Sequence, residues 1–551
     1  MSVSKYAKKT GIKSIRINIR GMTEMAKEPR GYRITKYLCV ICAFVMAVSV
    51  FNSGAYSDIN VPATVVASDE EDELLRVGLE GLYYNKQSIT IRNADIVVGY
   101  SVNNKYYREF SCDNGTYTIK PFTEKYTETG TYTSYEKARE YADSLINQGI
   151  TAYPVLKYLG TWTVAKCGQG SSDNYAVLVM GDDGQGFVYT VDDSSKAYPQ
   201  ITAASANSSG VYVVNLGERQ YRGRIEIGRY NGASSLKVVN IVPMEKYLYG
   251  VVPCEMVYTW HEEALKAQAV CARGYAYTAG FGGDTNLSAP YNLCDTTSSQ
   301  VYKGYGAEKD TTTAAVDATD GVLVYYNGSP VRTYYSSTSG GSTENVEDVW
   351  GTPNGYLRQV SDIYELEPEL EPWIKELTAD EIEELLAENG ISIGNVTDIH
   401  PSVMTASGRV YSVEVVGDSK QIITGSKLRK YFSLYSTKYK VIKYSDNPDY
   451  VAVLTADGQY ALDIADSYIA ADGFQVSKAS GDIEQFVVMT ADNLINYPAK
   501  APDNEDTYYI AGMGYGHGIG MSQSGAKGMA EAGFTYEEIL KHYFTGVEVK
   551  N

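Results

Sequence analysis

Histidine and cysteine are scarce, because the 551 residues include only four histidines and seven cysteines. No histidine occurs in H-E-x-x-H spacing, so the sequence offers no familiar zinc motif, and we expect neither a metal nor another cofactor. Cys39 and Cys42 lie in an apolar N-terminal run. The five remaining cysteines are too sparse for a disulfide scaffold. Since their number is odd, at least one cannot form a disulfide within the chain.

A net positive charge is found only at the N-terminus of the chain. The net charge is −19, yet residues 1–56 alone carry +8, so the remainder carries −27. A body this acidic repels phosphate backbones, and nucleic acid is therefore not an expected partner. Apolar residues make up 44% of the sequence, which is enough for a buried core.

The basic N-terminus is followed by an apolar segment. Tyr37 to Phe51 contains no charged residue, and Ala55-Tyr56-Ser57 resembles a small-residue cleavage site. The positive flank predicts that the N-terminus stays inside and that the chain after about residue 57 lies outside the cytoplasmic membrane. Residues 1–57 are thus interpreted as a signal peptide or a membrane anchor. A buried core helix is the alternative.

Tyrosine is abundant, with 50 residues. Its flat apolar face and hydroxyl suit both β-sheet surfaces and stacking against sugars. Alternating apolar residues predict many strands between a few helices, so we expect an α+β, β-rich fold. We divide the exported part into an acidic linker at 58–75, opening strands at 76–116, a small α/β module at 117–168 and a large domain at 175–551.

Local patterns predict several element boundaries. Thr-x-x-Glu capping boxes predict helix starts at Thr133, Thr259, Thr378 and Thr535. The Asn327-Gly328 pair predicts a tight hairpin turn, because both residues tolerate a positive φ.

Glu255 is the strongest candidate for catalysis. It lies between a predicted strand that ends at Pro253 and the predicted helix start at Thr259, and its neighbours Val251, Val252, Met256 and Val257 are apolar. Desolvation favours the neutral form of a carboxyl group, and a proton donor needs a raised pKa. The alternative is a structural Glu that caps a helix or forms a salt bridge.

A glycine-rich stretch at 512–525 contains His517, Ser522 and Gln523. Six glycines in this stretch allow backbone or ligand to approach closely. Its spacing does not match the dinucleotide-binding G-x-G-x-x-G pattern. His517 is a candidate ligand-binding residue, with a packed imidazole in a turn or a metal ligand as alternatives.

Together these stretches resemble the SpoIID/LytB family, the stage II sporulation protein D group. The resemblance covers about 210–360 and 408–551, with unmatched inserts near 363–400 and 446–505. It is carried by ordered blocks of sequence: Gly250-Val-Val-Pro-x-Glu-Met256, Glu263-Ala-Leu-Lys-Ala-Gln-Ala-Val270 with Ala272-Arg273, Cys294-Asp-Thr-Thr297, Gln300-Val-Tyr-Lys-Gly304, Tyr335-Ser-Ser-Thr-Ser-Gly-Gly341, Val349-Trp-Gly351, Gly514-x-Gly-His-Gly-x-Gly-Met-Ser-Gln523 and Glu538-Ile-Leu-Lys-His-Tyr543. Residues 117–168 resemble the SPOR module, which in relatives binds glycan stripped of its peptides.

The resemblance implies a peptidoglycan lytic transglycosylase that acts on glycan strands without stem peptides, with Glu255 as the catalyst. It also implies a groove lined by Arg273, Ser337, His517 and Gln523, in which Arg273 either binds a muramyl lactyl carboxylate or forms a structural salt bridge. Some relatives bind zinc after the Cys-Asp-Thr-Thr block. Ser298-Ser299 stands there in this chain, so we expect no metal.

Two other functions fit the sequence. The LytB side of the family implies a glycan-binding protein that stimulates a cell-wall amidase without cleaving glycan itself. A serine or cysteine hydrolase of wall peptides, with Cys254 and His517 as a nucleophile and base, is the third hypothesis. In each case the predicted partners are peptidoglycan glycan strands and the cytoplasmic membrane, through the N-terminal segment, and the predicted location is outside that membrane, anchored or secreted.

Overall fold

The computed structural model describes residues 74–551 apart from short internal gaps. The gaps are 94, 103–104, 114, 158–159, 192–197, 282–289, 366–372, 444–449, 456–457, 464–467, 472–474, 479–484, 490–493 and 499–505. The predicted export segment and nearly all of the predicted linker lie outside the described residues. No helix within the described part is long and apolar enough to cross a membrane.

Helices are spread along the described chain. In order they are α1 Glu80–Tyr83, α2 Tyr135–Ile146, α3 Met244–Glu255, α4 Glu262–Gly280, α5 Asp310–Ala318, α6 Val346–Trp350, α7 Ala379–Glu388, α8 Gly425–Tyr431, α9 Gln523–Glu531 and α10 Tyr536–Tyr543.

Strands outnumber helices, so the predicted α+β, β-rich class is confirmed. The first strands are β1 Leu74–Gly78, β2 Ile89–Arg92, β3 Asp95–Val102, β4 Lys105–Asp113, β5 Thr116–Pro121, β6 Tyr126–Tyr132, β7 Ala152–Lys157, β8 Thr161–Cys167, β9 Val177–Gly181, β10 Gly186–Tyr189, β11 Gln200–Ala203, β12 Val213–Asn215, β13 Gln220–Arg222, β14 Arg224–Gly228, β15 Lys237–Pro243 and β16 Leu293–Cys294. The later strands are β17 Leu323–Tyr326, β18 Ser329–Pro330, β19 Tyr335–Ser336, β20 Trp373–Thr378, β21 Asp398–Met404, β22 Val410–Val416, β23 Lys420–Thr424, β24 Tyr439–Lys443, β25 Tyr450–Thr455, β26 Gly458–Asp463, β27 Tyr468–Ala471, β28 Gln475–Lys478, β29 Gln485–Met489, β30 Leu494–Pro498, β31 Thr507–Gly512, β32 Met521–Ser522 and β33 Glu548–Lys550.

Two seven-stranded sheets form the N-terminal part. Their strand orders are β16-β1-β15-β14-β11-β3-β4 and β2-β5-β9-β10-β7-β8-β6. One apolar cluster contains side chains from both sheets, among them Ile96 and Ile225 from the first and Ile119 and Val179 from the second. Fully buried side chains alternate with partly buried ones along the first four residues of β1 and of β5, and this period of two is expected of a half-buried strand.

The segment at 117–168 contains the predicted helix between strands, as β6, α2, β7 and β8. Strands β2, β9 and β10 complete the same sheet, so the sheet is larger than the predicted module and includes residues assigned to the large domain. The helix is capped by Ser134, whose hydroxyl accepts the N–H of Lys137, and not by Thr133. Glycan binding by this segment stays a prediction.

Helices α3 and α4 connect the first sheet to the functional site. We predicted a strand end followed by a helix start, but Glu255 is the last residue of helix α3, which contains Pro253. The capping box predicted at Thr259 is wrong, because α4 begins at Glu262 and His261 Nδ1 accepts the N–H of Glu263 at 3.3 Å. The sequence predicts a narrow stripe of small and apolar residues along α4, formed by Leu265, Ala269, Ala272 and Ala276. All four are buried, which lets neighbouring helices pack closely.

Strands β20 to β24 and β31 build a second lobe. Strand β31 pairs with β20 and β24, and β22 pairs with β21 and β23. Val413, Leu428, Phe432 and Ile510 belong to its separate apolar cluster. The insert predicted near 363–400 is therefore structural, since β20 pairs with β31 along its whole length. The insert near 446–505 contains three hairpins.

Other local predictions are confirmed. Thr378 and Thr535 both form complete capping boxes. Asn327 and Gly328 have φ values of 51° and 79°, as the tight turn requires. The sequence predicts hairpin strands at 322–326 and 331–335. Across the turn, only two residues of β17 pair with the two residues of β18, so the hairpin is shorter.

Candidate active site

Glu255 lies at the edge of an open groove of about 750 Å³. The groove is lined by residues from both lobes, which are mainly aromatic and hydroxyl side chains: Glu255, Tyr275, Thr297, Ser298, Ser299, Tyr334, Tyr335, Ser336, Ser337, Trp350, Arg429, Leu434, Tyr435, Tyr515, Gly516, His517 and Gln523. Glu255 is the one acidic residue among the described residues that line it. A single carboxyl group therefore faces a space large enough for a short sugar chain.

The local sequence explains how Glu255 is held. Gly250 in helix α3 has no side chain, and a Cβ there would lie 2.6 Å from the ring of Tyr302. This close approach places the segment 300–304 beside the end of the helix. The N–H of Val301 then donates to Glu255 Oε1 over 2.6 Å.

The surroundings of Glu255 favour its protonated form. Burial raises the pKa of its carboxyl group above the usual value, and hydrogen bonds from Val301, Gln523 and Tyr335 act in the opposite direction. Desolvation is the largest of these effects, so the net direction is upward. The predicted raised pKa is thus supported by the geometry, and its cause is the one expected from the apolar neighbours.

A parallel strand pair brings the two predicted motifs together. Tyr335 and Ser336 in β19 pair with Met521 and Ser522 in β32, at the end of the glycine-rich stretch. Residues that are almost two hundred positions apart in sequence are therefore adjacent at Glu255. Gln523 follows directly and begins helix α9.

A chain of hydrogen bonds orients Tyr335 toward Glu255. Tyr247 donates to Gln300 Oε1 over 3.3 Å, and Gln300 Nε2 donates to the Tyr335 hydroxyl over 2.9 Å. The Tyr335 hydroxyl then acts on Glu255 as a hydrogen-bond donor, which lowers the pKa of that carboxyl group. Burial, with Glu255 as the next largest cause, raises the pKa of Tyr335 well above 10, so the hydroxyl stays a donor at neutral pH.

Gln523 lines the groove, as predicted. Its side chain also acts on Glu255 as a hydrogen-bond donor, which lowers the pKa of that carboxyl group. Its Nε2 also donates to Gln268 Oε1 over 3.2 Å. This contact fixes the amide, since the side chain is only 7% exposed.

His517 lines the groove as a neutral imidazole. Its Nδ1 accepts the N–H of Ile519 over 2.9 Å, so the ring proton is on Nε2. Burial, together with the charges of Arg429 and Arg409, lowers the pKa of His517 to about 3. The ring packs edge-on against Trp350 at 5.2 Å. His517 is therefore suited to donate a hydrogen bond and unsuited to accept a proton at neutral pH.

Ser337 also lies where the sequence predicts, as an exposed residue of the groove wall. Its carbonyl accepts the N–H of Ser524 over 3.1 Å, which ties this wall to helix α9. The hydroxyl is left to face the groove.

The prediction that Arg273 lines the groove is wrong. Arg273 is 2% exposed and makes a two-point ion pair with Glu245, with both nitrogen–oxygen distances at 2.7 Å. It also donates to the carbonyl oxygens of Val316 and Val322. Arginine satisfied in this way within the protein is a structural salt bridge, which was the alternative reading of this residue.

The thiol hypothesis is not supported. Cys254 does not line the groove, and its Sγ donates to the carbonyl of Gly250 over 3.3 Å. Burial raises the pKa of this thiol, which disfavours the thiolate that a nucleophile needs. All five described cysteines are free, so the expected unpaired cysteine is confirmed.

Cys294 belongs to the block of sequence after which some relatives are expected to bind zinc, and here its thiol contacts two hydroxyl groups. Cys294 Sγ contacts the hydroxyls of Thr296 and Ser299 at 3.2 and 3.5 Å. Within the described residues, no group of three or more His, Cys, Asp or Glu side chains is arranged to hold a metal ion.

A buried acidic network supports the groove from behind, and sequence reasoning did not identify it. Glu365 accepts backbone N–H groups from 339–341 and the hydroxyl of Ser522 over 2.5 Å. Lys438 donates to the carbonyl of Gly340 over 2.6 Å. The turn behind Ser337 and the start of helix α9 are thus tied to one carboxylate.

Sequence comparison relates the chain to one family. The sequence model of the stage II sporulation protein family matches residues 232–326, which include helices α3 and α4 and Glu255. An uncharacterized protein of Brachyspira hyodysenteriae is 28% identical over 330 residues, which are 60% of this chain and 72% of that protein.

Two relatives from Bacillus subtilis have descriptive names. The amidase enhancer is 30% identical over 336 residues, which cover 60% of this chain and 44% of that protein. Stage II sporulation protein D is 26% identical over 326 residues, which cover 56% of this chain and 75% of that protein.

Proposed function

Because the chain belongs to the SpoIID/LytB family, we propose that it is a peptidoglycan lytic transglycosylase with Glu255 as its acid and base. Its substrate is glycan without stem peptides, and the bond cleaved joins N-acetylmuramic acid to N-acetylglucosamine. The product carries a 1,6-anhydro-N-acetylmuramic acid end. Relatives named for sporulation and for amidase enhancement support a role in sporulation or cell-wall remodelling.

One carboxyl group can perform both proton transfers. Protonated Glu255 donates its proton to the glycosidic oxygen, and the bond to muramic acid C1 breaks as the positive charge on that carbon develops. The resulting carboxylate accepts the proton of the muramyl 6-hydroxyl while O6 bonds to C1. The ring closes, Glu255 regains its proton and no water is consumed.

The observation that carries the proposal is the isolation of Glu255. Ordinary glycosidases use two carboxyl groups, because one must activate water or form a covalent intermediate. The described lining of this groove supplies one. Ring closure by the substrate's own hydroxyl removes the need for the second.

The groove also suits an amino sugar. Trp350 and Tyr435 are 45% and 52% exposed within it and offer flat apolar faces for sugar rings. His517 Nε2 and the hydroxyl of Ser337 can hydrogen-bond to sugar oxygens or acetamido groups. The substrate lies outside the cytoplasmic membrane, which agrees with the export predicted from the N-terminal segment.

Product analysis tests the proposal. Peptide-stripped glycan is incubated with the wild-type protein, with E255Q and with E262Q, and the ends are identified by mass spectrometry. Wild type and E262Q should generate 1,6-anhydro ends, and E255Q should generate none. Glu262 is a matched control because it is an exposed carboxylate of the next helix. Equal activity of E255Q and wild type would refute the role of Glu255.

A second function is favoured by the amidase enhancer relative, which has the highest of the identities given above. In this alternative the groove binds glycan without cleaving it and the chain stimulates a cell-wall amidase. The same assay separates the two functions. Retained glycan binding without anhydro ends, together with faster amide hydrolysis by an added amidase, would identify a stimulator.

A further inference from the structure

Arg429 is the one cation among the described residues that line the groove. It lies in the last turn of helix α8, and its Nε donates to the carbonyl of Leu434 over 3.2 Å. Among the residues that the structure describes, none accepts a hydrogen bond from its Nη1 or Nη2 and none forms an ion pair with it. The guanidinium is therefore fixed at one nitrogen, and its two other nitrogens have no partner among the described residues.

A partly buried guanidinium without a counter-ion raises the free energy of the folded protein. Arg429 is half-buried, and burial lowers its pKa, although a guanidinium remains charged at any physiological pH. A partly desolvated cation is stabilised when an anion enters, and a carboxylate matches the two parallel N–H groups of arginine. Arg273 shows the satisfied arrangement elsewhere in the chain, where two nitrogens bind both oxygens of Glu245.

Arg429 lies in the part of the groove wall that would contact a sugar. Its charge is close enough to His517 to be the second largest cause of the lowered pKa of that residue. Next in the same wall are Tyr435 and Tyr515, whose rings are 4.7 Å apart. A sugar stacked in the groove would place its substituents beside this guanidinium.

We propose that Arg429 is a specificity-determining residue that pairs with the lactyl carboxylate of muramic acid. This inference rests on the proposed function and names the form of glycan that the groove selects. In glycan that still carries stem peptides, the lactyl carbonyl is part of an amide, which is neutral and is extended by the peptide. Hydrolysis of that amide frees the carboxylate.

Binding is measured in the E255Q background, so that the ligand is not consumed. Three glycan preparations of equal chain length serve as ligands: peptide-stripped glycan, the same glycan with its carboxylates converted to methyl esters, and peptide-bearing glycan. E255Q should bind the stripped glycan roughly 10- to 100-fold more tightly than the ester, the range of a hydrogen bond to a charged group. Peptide-bearing glycan should bind no better than the ester. Equal affinity for the peptide-bearing form would assign the pairing to a peptide carboxylate and overturn the inference.

Substitution of Arg429 identifies the residue responsible. E255Q/R429Q should bind stripped and esterified glycan equally, with its affinity for the ester unchanged. E255Q/K427Q is the matched control, because Lys427 is an exposed cation of the same helix, and it should keep the full preference. A preference that survives R429Q, or one that K427Q removes equally, would overturn the inference.

Two further readouts complete the design. If R429Q weakens binding of the ester too, E255Q/R429K replaces it, and this charged variant must prefer the stripped glycan, since equal binding of both would overturn the inference. Failure of the proposed function is a separate result. Binding with a carboxylate preference but no anhydro ends from the wild type would leave Arg429 as a specificity residue of a binding protein. Anhydro ends without any carboxylate preference would refute the role of Arg429 alone.

Discussion

Asp362 makes the stability of the fold depend on pH near neutrality. It is 2% exposed, its Oδ1 accepts the hydroxyl of Tyr543 over 2.9 Å, and the charge of Glu365 acts on it. Burial, followed by the charge of Glu365, raises the pKa of Asp362 from 3.8 to about 7. The native protein therefore keeps this carboxyl group protonated at pH values where the unfolded chain has lost the proton.

The sign and size of the effect follow from this shift. When the folded pKa is the higher one, the contribution to stability is complete below about pH 4 and is lost as pH rises through about 7. The shift is about three pKa units, and one unit corresponds to about 1.4 kcal/mol, so the loss is roughly 4 kcal/mol.

The D362N variant should remove this dependence. Its amide oxygen can accept from the Tyr543 hydroxyl as the acid does, but the amide cannot ionise. We expect its free energy of unfolding to exceed that of wild type by about 1–2 kcal/mol at pH 5, where part of the contribution is already lost, and by roughly 4 kcal/mol at pH 8. Urea unfolding of both proteins at pH 5, 6, 7 and 8 measures the difference.

The control is D320N, since Asp320 is exposed and should give no pH-dependent difference from wild type. A difference between D362N and wild type that stays constant from pH 5 to 8 would refute the reasoning. So would a D362N protein that is less stable than wild type at pH 8.

Three other predictions concern the groove. Since Glu255 must be protonated to act and burial raises its pKa, kcat/KM should fall as pH rises through that raised pKa, and a rate that increases over this range would contradict the assignment. Because the pKa of His517 is lowered to about 3, nitrogen NMR should show a neutral ring with the proton on Nε2 from pH 5 to 8, and a titration within that range would contradict this. G250A should cost about 1–3 kcal/mol of stability in a thermal or urea unfolding assay, because the new methyl group meets the Tyr302 ring at 2.6 Å. The same variant should lower glycan cleavage, and an unchanged rate would show that this contact does not position the acid.

Local sequence signals predicted the local structure well. The capping boxes at Thr378 and Thr535 and the turn at Asn327-Gly328 are present, because each depends on residues within one turn of chain. The box at Thr259 failed for a physical reason. His261 supplies a side-chain acceptor closer to the helix start, so the helix begins two residues later than the pattern indicates.

The site was predictable only in part. Glu255, Gln523, Ser337 and His517 lie in family motifs, and the structure brings them into one groove. Arg273 lies in a motif as well, yet it forms an ion pair with Glu245 on the preceding helix α3, which no spacing rule reveals.

Contacts that are distant in sequence could not be anticipated. Arg429 approaches the groove because a separate lobe folds against the first, and Tyr335 reaches Glu255 because β19 pairs with β32. Both depend on tertiary pairing between segments that carry no local signal for it. The acid network around Glu365 is hidden for the same reason.

The central claim is that Glu255 alone closes an anhydro ring without water. The most direct test is to cleave peptide-stripped glycan in water enriched in the heavy oxygen isotope and to weigh the new muramic acid ends by mass spectrometry. Ring closure predicts ends that contain no solvent oxygen and are lighter by one water than a hydrolysed end. One labelled oxygen in each new end would show hydrolysis and would contradict the account.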